Sequence, residues 1–439
     1  MNARQPRFKE RVWFFAPLLL IGVACGPGGP GDEGSPPVCG DGVLGPNELC
    51  DDGSLIGGDG CSAACVPSGT LYDCVDVRVS DGPGDGNWVG DLLPLPDGSF
   101  VASGWTPPGW TFTESKLRGW IARFSQSGER MWAEEVAIPD TDVRLTDLAA
   151  DGETGFWVLA SVTDHPDRLI HFNQSGSENG TLEIESGGGA PVVATAIMPV
   201  QSGVWVGGSI GGDAWLAHYD PQSGVTTDIL IDDYLGYDDV VSAFARASNE
   251  IIAVITVSTT PHNDGDIMLK AKTEVLVVRF DENGTEIGRR LVGNTDDPEY
   301  ARGAYEAVLD TAGRWFVSGR ITPMSPIDPL AQLWLAPASG ETGWEWTSTD
   351  PITPEWGGAI GTNDGVMLAM NRAGDDAHYG SLVGIGADGA QRWESTVIEE
   401  AYAHRVLAKH PEGEIRTIGD PIDPDVDDNN WLRSCLVAL

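Results

Sequence analysis

Asp97-Gly98-Ser99-Phe100-Val101-Ala102-Ser103-Gly104 is a tight turn followed by an apolar run too short for a helix. The same device returns along the chain. Turns fall at Asp97-Gly98, Thr154-Gly155, Ser202-Gly203, Ser248-Asn249, Ala312-Gly313, Asp364-Gly365 and Glu412-Gly413. The runs that follow are Phe100 to Gly104, Phe156 to Ser161, Val204 to Gly208, Ile251 to Val257, Trp315 to Gly319, Val366 to Met370 and Ile415 to Gly419. The turns are separated by about 46 to 64 residues, the range of a repeat built from one supersecondary unit. A second pattern interleaves with the first. Trp120 to Phe124 precedes Ser127-Gly128, Leu169 to Phe172 precedes Ser175-Gly176, and Trp215 to Tyr219 precedes Ser223-Gly224. Val275 to Phe280, Leu333 to Leu335 and Leu382 to Ile385 continue it, each before its own Gly turn. Alternation in these runs has a period of two, so they read as strands.

Each unit then holds four strands, and the expected fold is all-β: a seven-bladed β-propeller over residues 68–439. The seventh unit supplies only three strands before the chain stops. Thr70 to Val79, behind the turn-like Ser68-Gly69, is strand-like and is expected to provide the fourth, closing the ring with an N-terminal strand. Cys74 lies in that strand and Cys435 in the last one, so a disulfide between them would lock the closure; pairing of each with a cysteine nearer the N-terminus is the alternative. Gly128 to Trp132, Gly340 to Trp344 and Gly389 to Trp393 share Gly-x-x-x-Trp, which resembles the docking-tryptophan motif of quinoprotein-like propellers. The resemblance implies architecture and no quinone.

The N-terminus reads as an export signal over residues 1–24. Arg4, Arg7, Lys9 and Arg11 precede an apolar run from Val12 to Ala24 that is too short to span a bilayer. Leu20-Ile21-Gly22-Val23-Ala24-Cys25 resembles a bacterial lipoprotein lipobox, with Gly22 standing where that family prefers Leu. The resemblance implies lipidation of Cys25 and a membrane-anchored lipoprotein. Seven cysteines are odd, and removing Cys25 leaves six for three bridges. Residues 25–37, rich in Gly and Pro, form a flexible tether. Residues 38–67 carry Cys39, Cys50, Cys61 and Cys65 with few aliphatic residues, so crosslinks must hold them. Three pairings are open. The four cysteines and their Asp-Gly pairs resemble the myxococcus-type cysteine-rich repeat of bacterial and protist surface proteins. Asp41, Asp51, Asp52 and Asp59 in this module read as turn formers ahead of calcium ligands.

The net charge is −40, from 66 acidic and 26 basic residues. Such a surface repels phosphates, so nucleic acid is excluded as a partner and the membrane is met only through the lipid anchor. Short turns and long connections fall on opposite faces of a propeller, and the long ones are where binding evolves. Trp88, Tyr237, Tyr300, Trp356 and Tyr402, near the starts of first strands, would ring that mouth. Packing between units is the simpler reading for them, and stacking on a sugar or peptide the functional one. Trp110 and Phe112 lie in a long loop as contact candidates or as its hydrophobic plug. Asp423, Asp425 and Asp427 have the spacing of a calcium loop but lack the Glu that closes one, and no other cofactor is implied. There is no His-Glu-x-x-His and no nucleophile elbow. The reading is an exported, monomeric, non-enzymatic binding protein at the outer membrane or cell surface, its partner a protein or glycan. The alternatives are a polysaccharide-acting enzyme with acids at the channel mouth, or a structural envelope component.

Overall fold

The computed structural model describes residues 39–437 apart from 45–47, 52, 54–60, 63–64, 79–87, 107–115, 153–154, 201–202, 221–223, 232–238, 248–249, 259–272, 293–299, 324–329, 336–342, 374–377, 397–401, 410–414 and 422–430. No helix occurs among the described residues, and the chain folds as an all-β propeller with a disulfide-bearing N-terminal region. Strand β1 is Leu71–Arg78. Four antiparallel meanders follow. They are β2–β5 (Trp88–Pro94, Phe100–Thr106, Arg118–Phe124, Arg130–Val136) and β6–β9 (Val143–Asp151, Gly155–Val162, Arg168–Asn173, Glu178–Glu183). Next come β10–β13 (Val193–Val200, Gly203–Ile210, Asp213–Asp220, Gly224–Ile231) and β14–β17 (Val240–Ala247, Glu250–Ser258, Thr273–Asp281, Glu286–Val292). β18–β24 (Tyr300–Leu309, Trp315–Pro323, Leu330–Leu335, Glu345–Thr362, Gly365–Ala373, His378–Gly386, Gln391–Thr396) form one seven-stranded sheet. β25–β27 (Tyr402–Lys409, Ile415–Pro421, Trp431–Val437) join β1 in a last four-stranded sheet, ordered β1-β27-β26-β25.

The described residues therefore form six sheets, not the seven expected. The difference lies in β21, an 18-residue strand. Its first half pairs with β20 and its second with β22, so two expected units share one extended connection and merge into a single sheet.

Burial follows position within each sheet. The second and third strands are buried on both faces, as in Phe100–Gly104 and Trp120–Phe124, which is why their sequences read as unbroken apolar runs. The fourth strands, such as β5 and β9, are largely exposed and carry the charges that blunt an outer edge. First strands lie side by side: β2 against β6, β6 against β10, β10 against β14, β14 against β18, β21 against β25, and β25 against β2.

Neighbouring sheets are keyed by tryptophans. Trp132 of β5 covers Gly176 and donates its Nε1 hydrogen to the Gln174 carbonyl at 3.2 Å. Within the seven-stranded sheet, Trp344, just ahead of β21, covers Gly389 between β23 and β24 and donates to the Ala387 carbonyl at 2.7 Å. Trp393 of β24 covers Gly69, just ahead of β1. Gly69 has φ +81°, and a Cβ there would sit 2.6 Å from the Trp393 ring, so both the turn and the close approach require glycine. Trp393→Ala is expected to cost about 2–3 kcal/mol, below the full cost of deleting a completely buried Trp because the ring is only partly buried. Denaturant unfolding measures it, and Trp132→Ala serves as the matched comparison.

Candidate functional site

The site is built from an irregularity shared by the first strands. Each carries a register shift near its middle: between Val89 and Asp91 in β2, Leu145 and Asp147 in β6, Ala194 and Ala196 in β10, Val241 and Ala243 in β14, and Ala304 and Glu306 in β18. The same shift falls before Ala359 in β21 and before Val406 in β25. A bulge of this kind re-aims the residue that follows it. At that position three sheets place an acid, Asp91, Asp147 or Glu306, where the others place Ala or Val.

Each acid reaches into the next unit. The Asp91 carboxylate accepts from Leu92 N at 2.7 Å and from Leu148 N of β6 at 2.9 Å. Asp147 accepts from Leu148 N at 2.9 Å and from Ile197 N of β10 at 2.7 Å. Glu306 Oε2 accepts from Ala359 N of β21. Hydroxyls do the same work elsewhere, since Thr195 Oγ1 donates to the Val241 carbonyl and Thr256 Oγ1 accepts from Ala304 N. Glu306 Oε1 accepts no hydrogen bond from a described residue, which leaves one carboxyl oxygen available for chemistry.

Burial pushes the Asp91 carboxyl well above the ordinary carboxylate range, and the charge of Asp147, to which it hydrogen-bonds, pushes it further. Asp147 is raised as well, chiefly by burial, with the Ile197 N–H pulling the other way. Glu306 is pushed up to about 7 by burial, aided by the charge of Asp147 and opposed by the Ala359 N–H. All three are half-buried on the inner strands. Tyr305 precedes Glu306 in β18, and the Arg320 guanidinium lies over the Tyr305 ring, its carbon 5.6 Å from the ring centroid. Burial raises the Tyr305 hydroxyl above its usual value, and Arg320 partly offsets that.

Opposite Asp91 in the ladder stands Ser103, and opposite Glu306 stands Ser318; both are completely buried. Their hydroxyls, with Thr146 Oγ1, have no hydrogen-bond partner among the described residues. In the other sheets the equivalent position is Leu159, Gly207, Val254, Leu368 or Ile418.

None of these acids and serines was singled out in the sequence. Trp88 opens β2, is 39% exposed, and stacks on Trp105 with ring centroids 6.2 Å apart and planes 2° from parallel. Tyr300 and Tyr402 open β18 and β25, and Trp356 pairs with Met370 inside β21. Trp110, Phe112, Tyr237, Asp423, Asp425, Asp427 and Cys25 lie outside the described residues. Cys39 bonds Cys65, Cys50 bonds Cys61, and Cys74 bonds Cys435. In the small module Asp51 Oδ1 accepts from Gly42 N at 3.1 Å and Gly53 N at 2.8 Å, the turn-forming role expected of it. Glu48, Asp51 and Cys65 converge there, but the sulfur of Cys65 is held in its disulfide and offers no thiolate. Asp91, Asp147 and Glu306 went unrecognised in the sequence. Their one signal is an acid inside an apolar first strand, as in Trp88-Val89-Gly90-Asp91-Leu92-Leu93.

Residues 32–66 match the family model of a domain of unknown function (DUF4215). No curated protein matches the sequence. Among solved structures, an ulvan lyase of a new polysaccharide lyase family, PL25, is 10% identical with a TM-score of 0.53 over 81% of this chain and 96% of that one. The polysaccharide lyase Uly1 is 10% identical with a TM-score of 0.51 over 82% of this chain and 91% of that one. The PL25 ulvan lyase bound to -[GlcA(1-4)Rha3S]- is also 10% identical, with a TM-score of 0.53 over the same shares as the first. At this identity the likeness carries the fold. These neighbours are enzymes, which counts against the expectation of a non-enzymatic binding protein, an expectation that rested on the lack of catalytic motifs. That expectation overlooked the acids of the inner strands, which no linear motif marks.

Proposed function

We propose that this chain is a polysaccharide-acting enzyme with its acid–base centre on the inner strand β18. Glu306 is the group that takes and returns a proton, Tyr305 a proton donor, and Arg320 the positive group that meets the sugar. The observation that carries this reading is Glu306: a half-buried carboxyl with a pKa of about 7 and one oxygen left unbonded among the described residues. A group that titrates near the working pH is the most effective general acid or base. Tyr305, the residue before Glu306 in β18, stacked with Arg320, suits a uronate-bearing chain, because guanidinium neutralises a carboxylate and makes the neighbouring carbon more acidic. The fold is one that polysaccharide lyases use. The test is incubation with uronate-bearing and neutral polysaccharides, reading new reducing ends and the ultraviolet absorbance of unsaturated sugars. Cleavage that persists unchanged in Glu306→Gln would sink the assignment.

We also propose that the sheets stand in a ring closed by β1. The ring is supported by the seven hydrophobic clusters that run through the sheets, among them Val77 of β1 with Phe100 and Phe124. Arg416 of β26 over the Phe100 ring at 4.7 Å supports it too. We further propose export directed by residues 1–24 and lipidation of Cys25, with residues 25–37 tethering a monomer to the outer membrane or cell surface. Three disulfides engage the six other cysteines, which leaves Cys25 for the lipid. Cys25→Ala is expected to move the protein from the membrane fraction to the soluble one, read by fractionation of expressing cells.

A further inference from the structure

We propose that Asp91 and Asp147, with the hydroxyls of Ser103 and Thr146, form a divalent-cation site between the first two four-stranded sheets. The face that each residue uses decides what meets there. Val101 and Ile121 pack toward β6 and its neighbours, whereas Phe100, Ala102 and Trp120 pack toward Val77 of β1. Ser103 shares the face of Val101, because alternate residues of a strand point the same way. Asp91, its ladder partner, uses that face as well, since its carboxylate reaches Leu148 N. Thr146 is at the same place: its Cα lies 3.3 Å from where a Cβ on Gly90 would be.

Two carboxylates and two hydroxyls therefore meet at one interface. Each carboxylate accepts two backbone N–H groups, which uses about half of its roughly four lone-pair sites. The remaining lone pairs of the two acids crowd together in a half-buried place, and like charges so close need a positive counterpart. A shared proton would relieve the acids and leave both hydroxyls unanswered. A water molecule would answer the hydroxyls and add no charge. A cation does both. All the donors are hard oxygens, with no nitrogen or sulfur, which selects calcium or magnesium over transition metals. The equivalent pairs are Ala196 with Gly207, Ala243 with Val254 and Ala359 with Leu368 in three other places. Among the acids only Glu306, opposite Ser318, repeats the polar pairing, and no second acid hydrogen-bonds to it among the described residues.

The test uses the mature exported protein, stripped with a chelator and titrated with calcium at neutral pH by calorimetry and by thermal unfolding. The expected result is one tight calcium per chain, above any weak binding to the acidic surface, with a raised unfolding temperature. Asp91→Asn and Asp147→Asn should each abolish the tight equivalent. Ser103→Ala keeps both carboxylates and should weaken it by about tenfold or more, so it decides the matter if the Asn variants do not fold. Asp425→Asn, in the acidic run near the C-terminus, should leave it unchanged. Absence of a tight equivalent in the parent protein overturns the site, as does its survival in Asp147→Asn or its loss in Asp425→Asn. The readout is binding, so it stands or falls separately from any polysaccharide turnover.

Discussion

Glu306→Gln should lower polysaccharide turnover by about a hundredfold to ten-thousandfold, the usual contribution of a positioned acid–base group, while making the protein more stable at pH 8. The two effects share one cause. Glu306 has a folded-state pKa of about 7, against about 4.3 for a carboxyl in water. A group whose folded pKa is raised favours folding fully below its unfolded value, and that contribution is lost as pH rises from about 4.3 through about 7. At pH 8 the parent protein holds an ionised, desolvated carboxylate. The cost has an upper figure of about 4 kcal/mol, since each tenfold change in proton affinity on folding is worth about 1.4 kcal/mol. Glutamine keeps an oxygen to accept from Ala359 N and never ionises. The variant should therefore melt a few degrees higher at pH 8 and lose this part of the pH dependence, with little difference at pH 4. The parent's pH–rate profile should show a limb near pH 7 that the variant lacks. A side chain that only bridges β18 to β21 would give a variant with unchanged turnover. The combination of higher stability and lost activity is what a strained catalytic group leaves behind.

How far the sequence could be read depended on the scale of the feature. The strands of each sheet were legible, because a Gly turn followed by a run buried on both faces leaves a continuous apolar signature, as at Phe100–Gly104. The partnership of Leu71–Arg78 with Trp431–Val437 was legible from what the last unit lacked. The merged sheet was not. Pro351 and Pro354 punctuate β21 and read as a loop, yet Pro351 sits in the ladder opposite Leu330. The acids were hidden for a related reason. One extra residue at a bulge reverses which face the following side chains use, so alternation counted along the sequence assigns Asp91, Asp147 and Glu306 to the wrong side. Ser103 and Ser318, the ladder partners of Asp91 and Glu306, are then read as ordinary strand serines. The pairing of Cys39 with Cys65 and of Cys50 with Cys61 was one of three possibilities, and spacing alone does not choose among them.

Replacing both Cys74 and Cys435 by serine should lower the unfolding free energy by about 2–4 kcal/mol and expose β1 first. The disulfide joins residues 361 apart in sequence, and chain entropy alone sets an upper figure of about 6 kcal/mol for a loop of that length. What makes the effect local as well as global is the position of β1. Among the described strands it hydrogen-bonds to β27 alone, and its register breaks between Tyr72 and Val75, at the cysteine itself. Its other attachments are apolar: Val77 is completely buried among Phe100, Ala122 and Phe124, and Trp393 covers Gly69. Without the crosslink, opening this one strand exposes that apolar surface between β2–β5 and β25–β27 and leaves β27 as an unpaired edge. Hydrogen exchange should then show residues 71–78 losing protection under native conditions, ahead of β3 and β4, and a denaturant titration should give the lower midpoint. Trp393→Ala in the serine background should cost less than in the parent, because a strand already detached in part has less to lose from a missing ring. Equal protection of residues 71–78 and 431–437 in the parent and the serine variant would mean that packing alone holds the two ends together, and the disulfide would then serve only to restrain the unfolded chain.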